Sequence, residues 1–335
     1  MGTYEKWVQL KRSFLTDPCF LYMVLPAALL SGILYYRLID MPNLEARMVL
    51  HQQICLGEAD SPYRYRILVP YAIEIVLYLV SRWVIYKVAF QVAYCLYDIF
   101  SLCLFFGALY YWLRLWHSQT LSLLGVLFAC ATIPVAYWHH YFQPWSLLEA
   151  ALFTISLSLV VKNKTLQLSF VMIIYTLLRE TSIFLPLLYL LAYRQLWRSN
   201  ENSARTWRIW TAVYFAEWLL IYGGLRLWLG NAPHVETLPR LIGVNFSSRN
   251  LLLTAIYLFI MFGGFLVWAK QGFQQSNFIL KQISYIILPY LVIMGIWAIW
   301  SEVRCFIPLY PIVLALGLYK IREWLGWHDE TEKQA

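Results

Sequence analysis

Residues 88–112 read VAFQVAYCLYDIFSLCLFFGALYYW, and Asp98 is the only charged side chain among them. At about 1.5 Å per residue, a helix of this length crosses the roughly 30 Å hydrocarbon core of a bilayer. Across the chain's 335 residues, 61% are hydrophobic and 13% are charged. A typical soluble domain carries about 25% charged residues. The sequence therefore predicts an all-α, polytopic transmembrane protein.

Several further apolar runs approach the length of a membrane-spanning helix. The predicted spans of about full length are 88–112 and these further runs: 19–39, 121–136, 146–161, 209–229, 251–269, 282–300 and 305–320. Two shorter runs, 166–178 and 182–195, flank the polar pair Arg179-Glu180 and bring the predicted total to about ten spans. A last run, 67–83, contains Pro70, Glu74 and Arg82 and is ambiguous.

The positive-inside rule resolves this ambiguity. If 67–83 lies along the outer surface without crossing, every inside gap is basic. The inside residues are then Lys6, Lys11, Arg12, Arg114, Lys162, Lys164, Arg194, Arg198, Arg205, Arg208, Lys270, Lys281, Lys320 and Arg322. We therefore predict cytoplasmic termini, one transmembrane domain over 1–325 with juxtamembrane helices at 40–83, and a cytoplasmic tail at 326–335. Because no small-residue cleavage site follows the polar stretch 1–17, we expect the first helix to be retained.

The net charge of +8 does not indicate nucleic-acid binding, because the basic residues lie in short gaps between apolar runs. We interpret them as topology signals that contact anionic lipid headgroups. The six cysteines show no paired spacing. His139 and His140 are adjacent and therefore point to different faces of a helix, which is unlike metal-ligand spacing. We expect no disulfide framework, no metal site and no cofactor, and leave a divalent ion open.

In this topology, ionisable and aromatic side chains gather on the outer side. They include Asp40, Glu45, Tyr63, Arg64, Arg66, Trp138, His139, His140, Tyr141, Gln143, Trp145, Arg179, Glu180, Glu302 and Arg304. Guanidinium groups bind phosphate oxygens in a bidentate fork, and charges with little loop around them often mark a site. Interfacial anchoring by Arg and Tyr, and purely structural Arg–Glu pairs, are the alternative interpretations. The intramembrane acids Asp98 and Glu217 are likewise either functional or packing contacts.

The layout resembles the GT-C superfamily, membrane glycosyltransferases that use lipid-linked sugar donors. The resemblance rests on Asp40 and Glu45 in a long loop after the first helix, and on the stretch 43–56 leading into Tyr63-Arg64-Tyr65-Arg66. It also rests on the interruption at Arg179-Glu180 and on Glu302-Val303-Arg304-Cys305-Phe306-Ile307-Pro308-Leu309 at the start of the last helix.

The resemblance implies a polyprenyl-phosphate sugar donor and an acceptor on the non-cytoplasmic side, in the bacterial inner membrane. The donor phosphate would be held by Arg64, Arg66, Arg179 and Arg304. Asp40 would be the catalytic base, with Glu45 in reserve and Asp60 a weaker candidate. The substrate pocket would include Tyr63, His139, His140, Gln143, Trp145, Glu180 and Glu302.

Two other functions remain open at this point. A transporter or flippase of lipid-linked sugars would need polar groups along the whole path through the bilayer, whereas here they gather on one side. A polysaccharide polymerase or ligase would use arginines in a late outer loop, and the loop 230–250 holds His234, Arg240 and Arg249.

Overall fold

The computed structural model describes residues 18, 20–137, 143–195 and 202–326, and within these ranges the chain is helical, without strands. The helices are α1 Phe20–Asp40, α2 Leu44–Cys55, α3 Leu68–Val80, α4 Tyr86–Arg114, α5 Gln119–Tyr137, α6 Trp145–Val161, α7 Thr165–Leu178, α8 Glu180–Ala192, α9 Asn202–Leu229, α10 Leu238–Asn245, α11 Ser248–Phe262, α12 Phe265–Gln275, α13 Phe278–Trp297 and α14 Val303–Trp324. The predicted all-α class is confirmed.

In the described part of the chain, five helices are long and apolar enough to cross a bilayer, namely α1, α4, α5, α13 and α14. A sixth candidate exists if α10 and α11, which meet at an angle of 72°, count as one broken span. The helices α3, α6, α7 and α8 are apolar but shorter. The molecule is therefore a helical membrane protein with five to six candidate spans by length and composition.

Two segments, one apolar run and one outer loop, differ from their predicted form. The run 251–269 is broken between α11 and α12 at Gly263, whose φ of +52° is a conformation that glycine adopts most readily. The predicted outer loop 230–250 contains α10 and the first turn of α11. The hydrophobic pattern of the sequence did not reveal the break at Gly263, because the residues before and after it are equally hydrophobic.

The last helix, α14, runs through the centre of the molecule. Every residue from Val303 to Tyr319 is buried. Two glycines let α12 approach it closely, since Gly317 lies against the Phe265 ring and a Cβ on Gly272 would overlap the Leu316 carbonyl oxygen. Close packing of this kind holds helices together in lipid, where the hydrophobic effect no longer drives association.

The outward faces of α1, α3, α11 and α13 are apolar. Their exposed side chains include Leu30, Leu38, Ile75, Leu79, Leu252, Phe259, Leu288 and Val292. A soluble monomer rarely exposes apolar surface on this scale, whereas lipid contact requires it. These faces are consistent with a bundle surrounded by hydrocarbon.

The two ends of the bundle differ in chemistry. At one end, Lys162 lies 4.2 Å from the Tyr111 ring centroid, and Arg194 lies 4.6 Å from the Tyr285 ring centroid. The Tyr193 hydroxyl donates to the Val160 carbonyl and joins these segments. The basic gaps after α6 and α8 therefore lie together, at the far end of α6 from Trp145.

At the other end, the first long loop is joined to the segment after α9. The Ser61 N–H donates to the Pro233 carbonyl and the Val235 N–H donates to the Ser61 carbonyl, both at 2.9 Å. The Tyr65 hydroxyl donates to the Gly230 carbonyl at 2.9 Å. These bonds place the stretch 61–66 beside the loop after α9, where a cavity opens.

Candidate functional site

A cavity of about 1200 Å³ lies at this second end, between the stretch 61–66, the α7–α8 junction, α9, α10, α11 and the end of α13. The arginines among its lining residues are Arg66, Arg179, Arg226, Arg240, Arg249 and Arg304, and the carboxylates are Glu180, Glu236 and Glu302. The lining thus carries three more positive charges than negative ones. An excess of guanidinium groups in a partly enclosed site attracts anions.

Arg66 is held rigidly at the wall. It follows the short 3₁₀ turn Tyr63–Tyr65. Its Nε donates to Glu180 Oε2 at 3.1 Å, and its Nη2 donates to Glu180 Oε1, which makes a bidentate pair. The guanidinium carbon also lies 5.5 Å from the Tyr63 ring centroid and 5.3 Å from that of Trp145. Pairing and ring contacts together compensate for its loss of water.

Arg179 lies at the break between α7 and α8. Its backbone is extended, with φ −162° and ψ 143°, so Arg179 and Glu180 point in different directions. Arg179 pairs through Nη1 with Glu149 on α6, while Glu180 pairs with Arg66. The alternative of a structural pair between the neighbours Arg179 and Glu180 is therefore wrong, and each of the two forms an ion pair with a distant segment.

Glu149 was missed by sequence reasoning. It is the only acid in the apolar run 146–161 and its residue is 1% exposed. Besides Arg179 it accepts hydrogen bonds from the hydroxyls of Thr181 and of Tyr175, the latter at 3.3 Å. An isolated carboxylate within a membrane helix is the signal that would have identified it.

Arg304 begins a chain of contacts that leads back to Arg66. Its Nη2 pairs with Glu302, and its Nη1 donates to Gln143 Oε1 at 2.6 Å. Gln143 Nε2 donates to the Tyr63 hydroxyl at 2.9 Å. The Tyr63 ring stacks on buried Trp145, with centroids 5.6 Å apart. The structure thus brings together seven predicted residues of the cavity wall, with Trp145 directly behind it. The seven are Tyr63, Arg66, Gln143, Arg179, Glu180, Glu302 and Arg304.

Arg64 is not among the cavity-lining residues. Its Nε donates to the Ala59 carbonyl at 2.9 Å and its Nη1 donates to the Leu229 carbonyl at 3.1 Å. This guanidinium joins two loops, and its position does not support the phosphate-binding role predicted for it. His139 and His140, with Trp138 and Tyr141, lie outside the described residues.

The two predicted catalytic acids do not line the cavity either. Asp40 is 3% exposed and forms an ion pair with Arg47, which also lies 3.6 Å from Asp98. Burial lowers the pKa of Arg47, but Asp98 and Asp40 outweigh this effect, so its pKa is raised and it stays charged. Glu45 is exposed and lies 2.5 Å from Lys87 Nζ. Neither position supports the role of a general base in this cavity.

Further polar residues of the wall lie on α9 and in the segment after it. Arg226 donates through Nη2 to the Tyr222 hydroxyl at 2.6 Å, and its guanidinium carbon is 4.7 Å from the Tyr65 ring centroid. Arg226 lies near the end of the predicted span 209–229, and sequence reasoning did not single it out. An arginine near the end of an apolar run was a signal that could have marked it as a candidate site residue. The segment after α9 adds His234, Arg240 and Arg249.

One wall of the same cavity is apolar. It is formed by Leu241, Val244, Leu253, Ile293, Met294 and Trp297. Several of these residues lie on α11 and α13, the helices whose outer faces carry exposed apolar side chains. An amphipathic ligand with an anionic head and a hydrocarbon chain is complementary to such a cavity.

The function of the cavity is inferred from the side chains that line it. It combines guanidinium groups in excess, three carboxylates and an apolar wall at the edge of a helical bundle. The chain matches no family model, no curated protein and no solved structure.

Proposed function

We propose that the chain is an integral-membrane glycosyltransferase of the GT-C type. It moves a sugar from a polyprenyl-phosphate donor to an acceptor on the non-cytoplasmic side. The observation that carries the proposal is that Arg66, Arg179 and Arg304, from three distant segments, line one cavity together with an apolar wall. The guanidinium groups would hold phosphate oxygens and the apolar wall would receive the first units of the lipid chain.

The proposed topology has about ten passes, with both termini in the cytoplasm of a bacterium and the protein in its inner membrane. The helices α6, α7 and α8 are short spans in this arrangement, and α3 lies along the outer surface. Short helices are tolerated where a water-filled cavity enters the bilayer beside them. The basic residues around Lys162 and Arg194, at the end away from the cavity, fit the positive-inside rule.

We propose Glu302 as the base in place of Asp40. Glu180 has both carboxylate oxygens bound by Arg66, whereas Arg304 contacts only Oε2 of Glu302. Oε1 of Glu302 would accept the proton of the acceptor hydroxyl while that oxygen attacks the anomeric carbon. The bond from the anomeric carbon to the phosphate oxygen breaks, and the phosphate keeps the electron pair. The arginines stabilise the charge that develops on it.

The proposal is tested with the purified full chain in detergent and a panel of polyprenyl-phosphate sugars. Donor binding and release of polyprenyl phosphate are measured separately. Glu302→Gln should abolish turnover while donor binding persists. Arg304→Lys should weaken donor binding by about 10- to 100-fold, since a hydrogen bond to a charged group is worth about 1.5–3 kcal/mol.

Arg64→Lys is the matched control, because Arg64 lies near this cavity without lining it. It should leave donor affinity within about twofold of the unmodified chain. If no donor in the panel binds, or if Arg64→Lys and Arg304→Lys weaken binding equally, the proposal is wrong.

A polysaccharide polymerase or ligase is the second candidate. The observation that favours it is that His234, Arg240 and Arg249, from the late loop, line the same cavity. Such an enzyme would take a donor linked through a diphosphate, which offers more oxygens to these additional cations. Turnover of diphosphate-linked donors, with none of monophosphate-linked donors, would select this candidate.

A further inference from the structure

A second cluster of reactive side chains lies behind the cavity, between α2 and α3. His51 and Cys55 are four residues apart on α2 and so share one face of that helix. His51 Nε2 lies 2.7 Å from Glu74 Oε1 on α3 and 3.7 Å from Cys55 Sγ. The three potential ligand atoms all lie within 4.8 Å of one another.

We infer that His51, Cys55 and Glu74 bind a divalent transition-metal ion, with zinc the best fit to one nitrogen, one sulfur and one oxygen ligand. This inference does not depend on glycosyl transfer, because none of the three residues is among those that line the arginine-rich cavity. Imidazole and thiolate are the donors that zinc prefers in proteins, and a carboxylate commonly completes a three-residue set.

The distances suit a tetrahedral ion. Bonds of about 2.0–2.3 Å to zinc place tetrahedral ligand atoms about 3.3–3.7 Å apart. The pair His51 Nε2 and Cys55 Sγ, at 3.7 Å, is already at this separation. The Glu74 oxygen, now 2.7 Å from Nε2, must move slightly away from that nitrogen, and its half-exposed side chain is able to rotate.

His51 is oriented by its surroundings toward the cluster. The residue is 1% exposed, and its ring centroid lies 5.3 Å from that of Phe90. Nδ1 is 2.9 Å from the Tyr94 hydroxyl. Histidine ligands usually have their second ring nitrogen hydrogen-bonded in this way, which fixes the ring and leaves Nε2 to bind the metal. An ion pair between His51 and Glu74 could form without Cys55, so the ion pair alone does not explain why the Cys55 thiol lies on the same face of α2.

The local charge also permits a cation. Arg47 lies one turn before His51, but it pairs with Asp40 and lies 3.6 Å from Asp98, which offsets its positive charge. A divalent ion displaces the Cys55 thiol proton to solvent, and the ion with the Cys55 thiolate and the Glu74 carboxylate forms a neutral cluster. Cys55 and Glu74 are partly exposed, so an ion can reach the site from solvent and water can fill a fourth position.

Such an ion would connect α2 to α3. The other side of α2 contributes Asn43, Ala46 and Leu50 to the arginine-rich cavity. Binding of the ion would therefore stabilise one wall of that cavity, without contact to its ligand.

The test uses the purified full chain in detergent, first stripped with a chelator and then dialysed against Zn²⁺ or Co²⁺. Metal content is measured by mass spectrometry, and Co²⁺ is also followed by its near-ultraviolet thiolate charge-transfer band. We expect about one ion per chain and a clear charge-transfer band. Cys55→Ser should abolish the band, and Glu74→Gln should weaken Zn²⁺ binding by at least about tenfold.

Cys103→Ser is the matched control, because Cys103 is a partly exposed thiol on α4 outside the cluster. It should keep both the stoichiometry and the band. Substitution of the half-exposed Glu74 is chosen over that of buried His51, so that loss of folding does not mimic loss of binding. If the unmodified chain binds no ion, or if Cys55→Ser and Glu74→Gln retain it, the metal is absent or adventitious and the inference is wrong.

Discussion

At the scale of single residues, Arg47 is the most buried cation among the described residues of the chain's first half. Its residue is 0% exposed, and Asp40 and Asp98 both approach its Nη1. The guanidinium carbon also lies 4.3 Å from the Tyr94 ring centroid. Removing charges from water is costly, and close partners offset that cost only while all of them are present. The cluster therefore connects the end of α1, the start of α2 and the middle of α4.

Asp40→Asn should destabilise the protein by about 3–5 kcal/mol, because Arg47 keeps only the more distant Asp98 carboxylate. The measurement is thermal or denaturant unfolding of the purified protein in detergent. Glu45→Gln is the control and should cost less than about 1 kcal/mol, since its pair with Lys87 is exposed. An Asp40→Asn variant with unchanged stability but no sugar transfer would restore Asp40 as the catalytic base.

Glu149 is a second buried carboxylate that pairs with an arginine, and it lies behind the cavity. Glu149→Gln keeps the shape of the side chain but leaves the Arg179 charge, which is 8% exposed, without its carboxylate partner. We expect a loss of about 3–5 kcal/mol of stability. Glu217→Gln, on α9, is the comparison, because Glu217 accepts a hydrogen bond from Ser169 and pairs with no arginine among the described residues. Equal stability losses in the two variants, measured by unfolding, would contradict the importance of the Arg179–Glu149 pair.

At the scale of elements, α12 and α14 approach each other closely at two glycines. Gly272 faces the Leu316 carbonyl oxygen and Gly317 faces the Phe265 ring, so neither position has room for a side chain. A backbone carbonyl cannot move aside as a flexible side chain does. The two helices must therefore separate if a methyl group is added at position 272.

Gly272→Ala should accordingly lower stability by about 1–3 kcal/mol, the usual cost of forcing a methyl group into a filled interface. Gly295→Ala, within α13, is the control, because a Cβ there meets no atom within 4 Å. It should be neutral or slightly stabilising, since alanine is the better helix former. The melting temperatures of the two variants in the same detergent provide the comparison. If the melting temperature of Gly272→Ala is no lower than that of Gly295→Ala, the prediction that α12 packs closely against α14 is wrong.

At the scale of the whole molecule, charge is separated between two ends. The arginine-rich cavity occupies one end, and Lys162, Lys164 and Arg194 lie at the other. Carboxylates accompany the arginines of the cavity, whereas the opposite end is mainly basic. In the proposed topology, the positive-inside rule would place the cavity on the non-cytoplasmic side.

This orientation predicts the labelling of two cysteine variants in intact cells. Arg249→Cys, at the cavity rim, should react with a membrane-impermeant maleimide from outside. Lys164→Cys should react only after the membrane is made permeable. The unmodified chain gives the background from its own thiols, among them the partly exposed Cys55, Cys95 and Cys103. Labelling of both variants from the same side would contradict the proposed topology.

Much of the helix content was predictable from the sequence, because the thickness of the hydrocarbon core sets the length of an apolar run. The runs 88–112 and 305–320 lie within α4 and α14. The run 251–269 was predicted wrongly as continuous, because a single glycine with positive φ ends α11. Seven predicted pocket residues line one cavity, whereas Arg64, Asp40 and Glu45 do not. Nothing in their local sequence separates the two groups.

The sequence by itself determined that this is a helical membrane protein and which segments carry its charges, since both follow from the requirement of lipid for apolar side chains. Only the tertiary structure decided which charges meet. Arg179 pairs with Glu149 and not with its neighbour Glu180, and Asp40 pairs with Arg47 beneath the surface. The physical reason is that an ion pair depends on side-chain direction and helix packing, which separation along the chain does not specify.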